Sequence, residues 1–173
     1  MKHVYDIIIV GGGHAGVEAA MVASKLACRV GIVSMDKLSI GRMSCNPAIG
    51  GVAKGQIVRE IDILGGLMGR IADRSGLQFK VLNKSKGRSV WSPRAQVDKR
   101  KYEDCVSKTV LSGEGISFIK GEVVSLIIKN NSIRGVVLRS GDSISSKTVV
   151  VTCGTFLSGV IHIGDRKILA GRM

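Results

Sequence analysis

Aromatic residues and proline are scarce in this chain of 173 residues. Aromatic side chains make up 3% of it, and it contains only 2 prolines. A core must therefore be built from aliphatic side chains, and these are available because hydrophobic residues account for 45% of the sequence. The chain also lacks an apolar run of ~18 residues, which a membrane-crossing helix requires. We therefore predict one globular domain that does not associate with a membrane.

Cysteine is used in a pattern that fits neither disulfides nor zinc. No C-x-x-C pair and no His/Cys cluster with zinc-site spacing occurs. We therefore predict reduced thiols, no metal site and a cytoplasmic location. The chain begins MKHVYD and passes at once into an aliphatic run, so we expect neither a signal peptide nor the transit peptide of a mitochondrial protein. The four cysteines are Cys28, Cys45, Cys105 and Cys153.

Acidic residues are half as frequent as basic ones. The chain has 13 Asp and Glu against 26 Lys and Arg, which gives a formal net charge of +13. A basic surface favours polyanions such as nucleic acid or an anionic membrane. A general compositional bias toward lysine explains the same numbers. The run from Lys80 to Lys101 is the densest in basic residues.

A glycine motif follows the first predicted strand, Tyr5–Val10, and opens the first predicted helix, His14–Ala27. This context is the one in which Gly-x-Gly-x-x-Gly binds a dinucleotide. Gly11 permits the tight turn, Gly13 lets the backbone approach a pyrophosphate, and Gly16 lets the helix pack on the strand. The alternative is a glycine-rich turn without a ligand. The predicted pyrophosphate-binding residues are Gly11, Gly12, Gly13, His14, Ala15 and Gly16.

The acid that normally closes the second strand of such a motif is missing. Ser34 stands at that position, at the end of the predicted strand Arg29–Ser34, and Asp36 follows two residues later. A serine hydroxyl can still bind a ribose, but it does not distinguish NAD from FAD. Glu18 in the first helix is either an acid that favours the helix start or a second ribose contact.

After the first βαβ unit the sequence predicts helices and strands in alternation, and its last third predicts strands only. After a loop over Met35–Gly55 we predict a helix, a short strand, a basic loop over Asn83–Arg94 and a helix that buries Tyr102, Val106 and Val110. The last third reads as strands separated by turns. We predict an α/β fold with a parallel sheet and an inserted antiparallel meander. These predicted elements are helices Gln56–Leu64 and Gln96–Leu111, and strands Gln78–Leu82, Ile116–Ile119, Val123–Ile128, Ile133–Leu138 and Ser146–Thr152.

The segment Gly41–Gly55, GRMSCNPAIGGVAKG, places a cysteine near basic residues. A thiol beside Arg42 or Lys54 would have a lowered pKa and become nucleophilic. The alternative for Cys45 is a buried and inert cysteine. The nearby glycines suggest that the backbone comes close to a ligand there.

Several motifs together resemble the MnmG (GidA) family, which modifies the wobble uridine of certain tRNAs. They are DIIIVGGGHAGVEAA, MSCNPAIGG, REIDILGGLMGR, QFKVLNKSKG, RAQVDKRKY and VVVTCGTFLSGVIHIG, and they cover nearly the whole chain. The resemblance implies that residues 1–173 form a Rossmann-like FAD-binding domain of the glutathione-reductase type. It implies that FAD also contacts Ser34, the backbone of Val123, Thr152 and Gly154, and that Cys45 is catalytic.

The resemblance also implies a reaction and its participants. Family members use FAD, NADH and methylenetetrahydrofolate to add a carboxymethylaminomethyl or aminomethyl group to uridine C5. They act as homodimers with the GTPase MnmE, in a heterotetramer. This chain would lack the rest of the FAD domain, the NADH-binding insert and the helical region for tRNA and the partner. The alternatives are an inactive truncated module, a folate- and FAD-dependent tRNA uridine methyltransferase of the TrmFO type, and an oxidoreductase that uses Cys45 for redox work.

A basic stretch with one tryptophan is the candidate RNA contact. Lysine and arginine would neutralise phosphates, and the tryptophan could stack on a base. The alternative is a solvated basic loop that packs near the flavin. The residues of this basic strip are Lys84, Lys86, Arg88, Trp91 and Arg94, and Lys80 precedes them in the same basic stretch.

Overall fold

The computed structural model describes residues 5–43, 46–155, 157 and 159–169. Four helices and eleven strands lie in these ranges, and within them no helix is long and apolar enough to cross a membrane. The helices are α1 (His14–Lys25), α2 (Lys54–Ile63), α3 (Met68–Ser75) and α4 (Lys99–Leu111). The strands are β1 (Tyr5–Val10), β2 (Val30–Ser34), β3 (Ala48–Gly50), β4 (Gly76–Leu82), β5 (Ser92–Val97), β6 (Ile116–Lys120), β7 (Val123–Lys129), β8 (Ser132–Leu138), β9 (Ser143–Val151), β10 (Val160–Ile163) and β11 (Arg166–Leu169).

The main sheet has six strands in the order β6-β2-β1-β9-β8-β7. Strands β6, β2, β1 and β9 are parallel, whereas β7, β8 and β9 form an antiparallel meander. The long strand β9 belongs to both parts: Ser145 pairs with Gly135 of β8, and the next residue, Ser146, pairs with Tyr5 of β1. The predicted α/β fold with an inserted meander is therefore confirmed.

The two faces of this sheet build two cores. Adjacent residues of a strand point to opposite faces, so Ile9 packs beneath the helices while Ile8 packs beneath the meander. Helix α4 contributes the predicted Tyr102, Val106 and Val110, which are all buried. Aliphatic side chains make up almost all of both cores, as the scarcity of aromatic residues requires.

The middle of the chain differs from the prediction. The expected loop Met35–Gly55 contains β3 and the start of α2, and helix α3 and the β10–β11 hairpin were not anticipated. Residues predicted as the end of the basic loop and the start of a helix instead form β5, which pairs with β3 on one side and β4 on the other. Helix α4 begins only after Asp98, whose carboxylate accepts a hydrogen bond from Lys101 N (3.0 Å). Strand pairing across the sheet therefore overrides the local helical pattern near Gln96.

The carboxylate of Asp6 ties together the start of the parallel sheet. It contacts Arg29 Nε at 3.2 Å, before β2, and Lys147 Nζ at 2.8 Å in β9. These two cations hold the pKa of Asp6 well below its usual range. The ionised form therefore stabilises the folded state above the pKa of an unfolded aspartate, about 4, and this contribution is lost as pH falls below that value.

Replacing Asp6 with asparagine should therefore change the pH dependence of stability. We expect the difference in unfolding free energy between wild type and Asp6→Asn to be largest near neutral pH and to shrink below about pH 4. Urea unfolding at several pH values measures it. Asp165→Asn, in an exposed turn, is the matched control. A difference that does not vary with pH would show that ionisation of Asp6 does not stabilise the fold.

Candidate functional site

The predicted cofactor residues meet at the carboxyl edge of the parallel strands. Backbone hydrogen bonds join Gly11 N to Val33 O and Thr152 N to Val10 O, each at 2.9 Å. The glycine loop after β1 therefore lies between the end of β2 and the segment that follows β9. Ligands bind at this edge in open α/β sheets.

The glycines of the loop have two different tasks. Gly11 has φ +109°, and a Cβ there would overlap the carbonyl of Thr152. A Cβ on Gly16 would overlap Gly11 O and lie 2.8 Å from Thr152 Oγ1. A Cβ on Gly13, in contrast, has no neighbour within 4 Å and faces open space. Gly11 and Gly16 therefore allow the protein to pack, whereas Gly13 leaves room for a ligand.

The start of α1 is suited to an anion. Gly13 is its N-cap and has no side chain to occupy the free backbone N–H groups of the first turn. The helix is 12 residues long, so its dipole places partial positive charge at the same point. Together with the open face of Gly13, this arrangement fits a pyrophosphate.

Thr152 stabilises the turn from the other side. Its hydroxyl Oγ1 lies 2.9 Å from Val10 O and 3.1 Å from Gly11 O. The hydroxyl is therefore used to hold the glycine loop. Gly154, two residues later, has φ +76° and no neighbour within 4 Å of a Cβ. The Thr152–Gly154 segment thus presents backbone at the same edge as the loop.

Ser34 replaces the missing acid in a specific way. Its Oγ lies 2.7 Å from Ser39 Oγ, and the Ser39 hydroxyl donates to the backbone oxygen of Asp36. Because Ser39 has one hydroxyl proton and uses it there, Ser34 must donate to Ser39. The lone pairs of Ser34 are then available to accept a hydrogen bond from a ribose hydroxyl, as the usual carboxylate does.

Asp36 follows Ser34 and caps a short turn, and Val123 begins the strand after a segment that contacts Ser34. The Asp36 carboxylate caps the 3-10 turn Lys37–Ser39 by accepting from Leu38 N (3.0 Å), so it is engaged with backbone. Gly121 N donates to Ser34 O at 3.0 Å, and Val123 follows two residues later at the start of β7. The backbone of Gly121, two residues before Val123, therefore contacts Ser34 directly.

His14 turns its side chain into the protein. Its ring centroid lies 5.7 Å from that of Tyr102. Burial lowers the pKa of His14, against the opposing charges of Glu18 and Glu103. The imidazole is therefore neutral at physiological pH, and the part of His14 that remains for an anion is its backbone N–H. Among the described residues, His14 Nε2 and Tyr102 Oη have no hydrogen-bond partner.

Glu18 has neither of the roles predicted for it. Its carboxylate accepts hydrogen bonds from Leu67 N at 2.9 Å and Met68 N at 2.6 Å, so it caps helix α3. Helix α3 has no side-chain cap of its own. The sequence does not show this link, because 49 residues separate Glu18 from Leu67.

Loss of this cap should destabilise the fold. We expect Glu18→Ala to lower the unfolding free energy by about 2 kcal/mol, because two backbone donors lose a charged acceptor. Glu18→Gln keeps one acceptor oxygen and should cost less. Glu60→Ala, at an exposed glutamate of α2, is the matched control. Equal stability of Glu18→Ala and the control in urea unfolding would show that the cap does not contribute.

The segment that precedes the cysteine motif returns to the glycine loop. Gly41 N donates to Gly12 O at 2.8 Å, and a Cβ on Gly41 would overlap Val106 of α4. Met43 N donates to Glu103 Oε1 at 2.7 Å. The predicted catalytic residue Cys45 and its neighbour Ser44 lie outside the described residues. The chain before them is nevertheless anchored beside the predicted dinucleotide site.

Gly50 and Gly55, which follow the cysteine, are explained by packing. A Cβ on Gly50 or on Gly55 would overlap the carbonyl oxygen of Pro93 in β5. Gly51 N donates to the same oxygen at 2.9 Å. The close backbone approach at Gly50 and Gly55 is therefore an approach of β5.

The predicted basic strip forms one surface loop between β4 and β5. Lys84, Lys86 and Arg88 lie in two 3-10 turns and are exposed. Trp91 Nε1 donates to Lys84 O at 3.2 Å, and the Arg88 guanidinium lies 5.8 Å from the Trp91 ring centroid. Arg94 follows in β5. The structure thus brings the five residues into one loop and strand, and it fixes the indole within them.

Comparison with protein families gives a match over nearly the whole chain. The family described as Glucose inhibited division protein A matches residues 6–173. Two relatives named tRNA uridine 5-carboxymethylaminomethyl modification enzyme MnmG, from Aquifex aeolicus and Karelsulcia muelleri, are 49% and 51% identical to the chain over 169 residues. These alignments cover 98% of this chain but only 27% and 28% of the relatives. The chain thus spans little more than a quarter of their length.

Solved structures show the same relationship. Aquifex aeolicus GidA superposes with a TM-score of 0.91 at 49% identity, over 97% of this chain and 28% of that one. A GidA-related protein from Thermus thermophilus gives 0.64 at 17% identity, over 98% and 61%. The flavin-dependent brominase Bmp2 gives 0.59 at 22% identity, over 88% and 38%. The last two share the fold with this chain.

Proposed function

Because this chain belongs to the glucose inhibited division protein A family, we propose that it is the FAD-binding part of an enzyme that modifies uridine in tRNA. The relatives that carry this activity in their names align with 98% of the chain. The observation that supports a cofactor role is the open backbone at Gly13, at the uncapped start of α1. A flavin, when bound, supplies hydride and one-electron chemistry to such an enzyme.

The residues of this site fit the parts of FAD. The backbone of Gly12–Gly16 would hold the pyrophosphate, and Ser34 Oγ would accept from an adenosine ribose hydroxyl. Thr152 would act indirectly, since its hydroxyl holds the glycine loop. Gly154 and the backbone near Val123 would line the rest of the dinucleotide at the strand edge.

FAD titration of the purified protein tests this proposal. We expect FAD to bind with quenching of flavin fluorescence, and Ser34→Ala to weaken binding by about tenfold, because one ribose hydrogen bond is lost. Ser34→Asp restores an acceptor and should recover part of the affinity. Ser132→Ala, at an exposed serine of β8, is the matched control. Protein that takes up no FAD would contradict the proposal.

The finer chemistry is proposed from the relatives' names and from family resemblance. We propose a cytoplasmic enzyme that adds a carboxymethylaminomethyl or aminomethyl group to C5 of the wobble uridine. It would use NADH and methylenetetrahydrofolate and act as a homodimer with the GTPase MnmE. We propose that the Cys45 thiolate forms a bond to uridine C6, which moves the C5–C6 π pair toward C5 and makes that carbon nucleophilic.

A tRNA modification assay tests the role of the thiol. Cys45→Ala should abolish modification while FAD binding is retained. Cys105→Ala, at a half-buried cysteine of α4, is the matched control. Wild-type activity of Cys45→Ala would exclude an essential role for this thiol.

The basic strip is our proposed contact for RNA. Its three exposed cations can neutralise phosphates. One face of Trp91 is covered by Arg88, so the indole, 40% exposed, can offer its other face to a base. Trp91 is also the only tryptophan of the chain and reports binding by fluorescence. We expect Lys84→Glu and Arg88→Glu to weaken quenching by oligouridylate, and Lys129→Glu, at an exposed lysine of β7 in the six-stranded sheet, to leave it unchanged.

A further inference from the structure

The three-stranded sheet β3-β5-β4 has one face toward the helices α2 and α3 and one face away from them. Strand β4 pairs with β5 in register, so that Phe79 lies opposite Ala95 and Lys80 lies opposite Arg94. Phe79 and Ala95 line an apolar groove together with Val58 of α2. Because neighbouring residues of a strand point to opposite faces, Lys80 and Arg94 lie on the face away from the helices.

This outer face carries two cross-strand pairs of polar side chains, Lys80 with Arg94 and Gln78 with Gln96. Lys80 and Gln78 in β4 are exposed, whereas Arg94 and Gln96 in β5 are half-buried. In the ranges that the structure describes, no ion pair or hydrogen bond engages any of these four side chains. Their donors and acceptors are therefore available to a ligand.

The Lys80–Arg94 pair opposes the folding of the sheet. Like charges directly opposite each other destabilise an antiparallel pair of strands, and the chain as a whole already carries a net charge of +13. A bound phosphate would remove this repulsion. An arginine suits such a ligand, because its planar guanidinium can donate two parallel hydrogen bonds to phosphate oxygens.

The two glutamines lie beside the charged pair on the same face. Two residues along a strand span about 7 Å, so both pairs fall within reach of one nucleotide. A glutamine amide offers a donor and an acceptor, and the edge of uracil presents an N–H group between two carbonyl oxygens. Strand β3 adds only small residues to this face, Ala48 opposite Gln96 and Gly50 opposite Arg94. The surface next to the glutamines is therefore not covered by long side chains of β3.

We infer that the outer face of this sheet holds one uridine nucleotide of the RNA, with its phosphate at the Lys80–Arg94 pair and the edge of its base at the two glutamines. Bases of single-stranded RNA are commonly recognised through such edges. The outer face is continuous with the basic strip, since Arg94 belongs to both and β4 leads into the loop that contains Lys84. This inference rests on the proposed function, and it adds recognition of a base edge to the phosphate contacts and stacking of the strip.

The phosphate contact is tested by neutralising the charged pair. With fluorescein-labelled oligouridylate and fluorescence anisotropy, we expect the double variant Lys80→Gln/Arg94→Gln to bind more weakly. The slope of log affinity against log salt should become less steep by about 0.7, the value for one phosphate contact on a single strand. Binding of an abasic oligomer with the same backbone should weaken equally. The midpoint of urea unfolding should not fall, because a like-charge contact is removed. Lys129→Gln/Arg134→Gln, at exposed cations of β7 and β8, is the matched control.

The base contact is tested by removing an amide. Gln78→Ala should weaken binding of oligouridylate about fivefold, the effect of one lost neutral hydrogen bond, without changing the salt dependence. On the abasic oligomer, Gln78→Ala and wild type should bind equally. Gln96→Ala should behave in the same way. Ser125→Ala, at an exposed polar residue of β7, is the matched control, and thermal melting of every variant checks that the fold is retained.

The outcomes separate this inference from the proposed function. If the double variant and Gln78→Ala bind RNA as well as their controls, while Lys84→Glu and Arg88→Glu do not, the outer face does not bind RNA and the role of the strip stands. Equal weakening of Gln78→Ala on abasic RNA would overturn the base contact. A lower urea midpoint of the double variant would contradict the repulsion from which the anion is inferred. Failure of the wild-type protein to bind RNA would contradict both proposals.

Discussion

Gly16→Ala should lower the stability of the fold as well as abolish FAD binding. A methyl group at position 16 would overlap Gly11 O and lie 2.8 Å from Thr152 Oγ1. Neither group can easily move away, because Gly11 O is on the backbone of the tight turn and the Thr152 hydroxyl is held at Val10 O. We expect a loss of about 3 kcal/mol in unfolding free energy, at the upper end for overpacking, together with loss of FAD binding.

Gly13→Ala is the matched variant in the same motif. Its φ of −69° is accessible to alanine, and no atom lies within 4 Å of the added Cβ. The fold should lose less than about 1 kcal/mol, the cost of alanine at an N-cap. FAD affinity should nevertheless fall by tenfold or more, because the methyl group occupies the space through which the pyrophosphate approaches.

Urea unfolding of the FAD-free protein and FAD titration measure the two effects separately. The structure predicts that Gly16→Ala loses both stability and FAD affinity, whereas Gly13→Ala loses mainly FAD affinity. Normal FAD affinity in Gly13→Ala would mean that the dinucleotide does not pass this residue. Wild-type stability of Gly16→Ala would show that α1 can shift away from the turn at little cost.

Tyr102→Ala should be the most destabilising change in the helix-side core. The Tyr102 side chain is 0% exposed and packs against His14. Removal of a buried aromatic side chain costs about 3 to 5 kcal/mol. This is a large part of the total stability of a small domain, so we expect a largely unfolded protein at moderate temperature.

Tyr102→Phe should leave the unfolding free energy unchanged or raise it. The Tyr102 hydroxyl is buried, and it has no hydrogen-bond partner among the described residues. Burial and the charge of Glu18 raise the pKa of Tyr102, so the group stays protonated. A buried hydroxyl without a partner costs roughly 1 to 3 kcal/mol, and its removal should leave the protein as stable as wild type or more stable. Circular dichroism during thermal and urea unfolding compares the three proteins. A strong loss of stability in Tyr102→Phe would reveal a partner for the hydroxyl.

Local patterns were sufficient for the parts of the fold that depend on neighbours in sequence. The aliphatic run of β1, the glycine motif and the helix α1 were all predicted, because strand burial, a tight turn and a helix start have short-range signatures. The buried face of α4 followed from helical spacing in the same way. The meander was predicted from its turns.

The candidate site likewise has a part that the sequence predicts and a part that only the structure shows. The sequence by itself predicted the glycine loop after β1 and showed that Ser34 stands where an acid is expected. Only the tertiary structure decided that the Ser34 hydroxyl bonds to Ser39, that Glu18 caps α3 and that Pro93 accounts for Gly50 and Gly55. It also decided that β5 is a strand, since its partners β3 and β4 are supplied from both sides. The physical reason is that a hydrogen-bond partner or a steric neighbour far away in sequence leaves no local pattern, whereas periodicity and turns do.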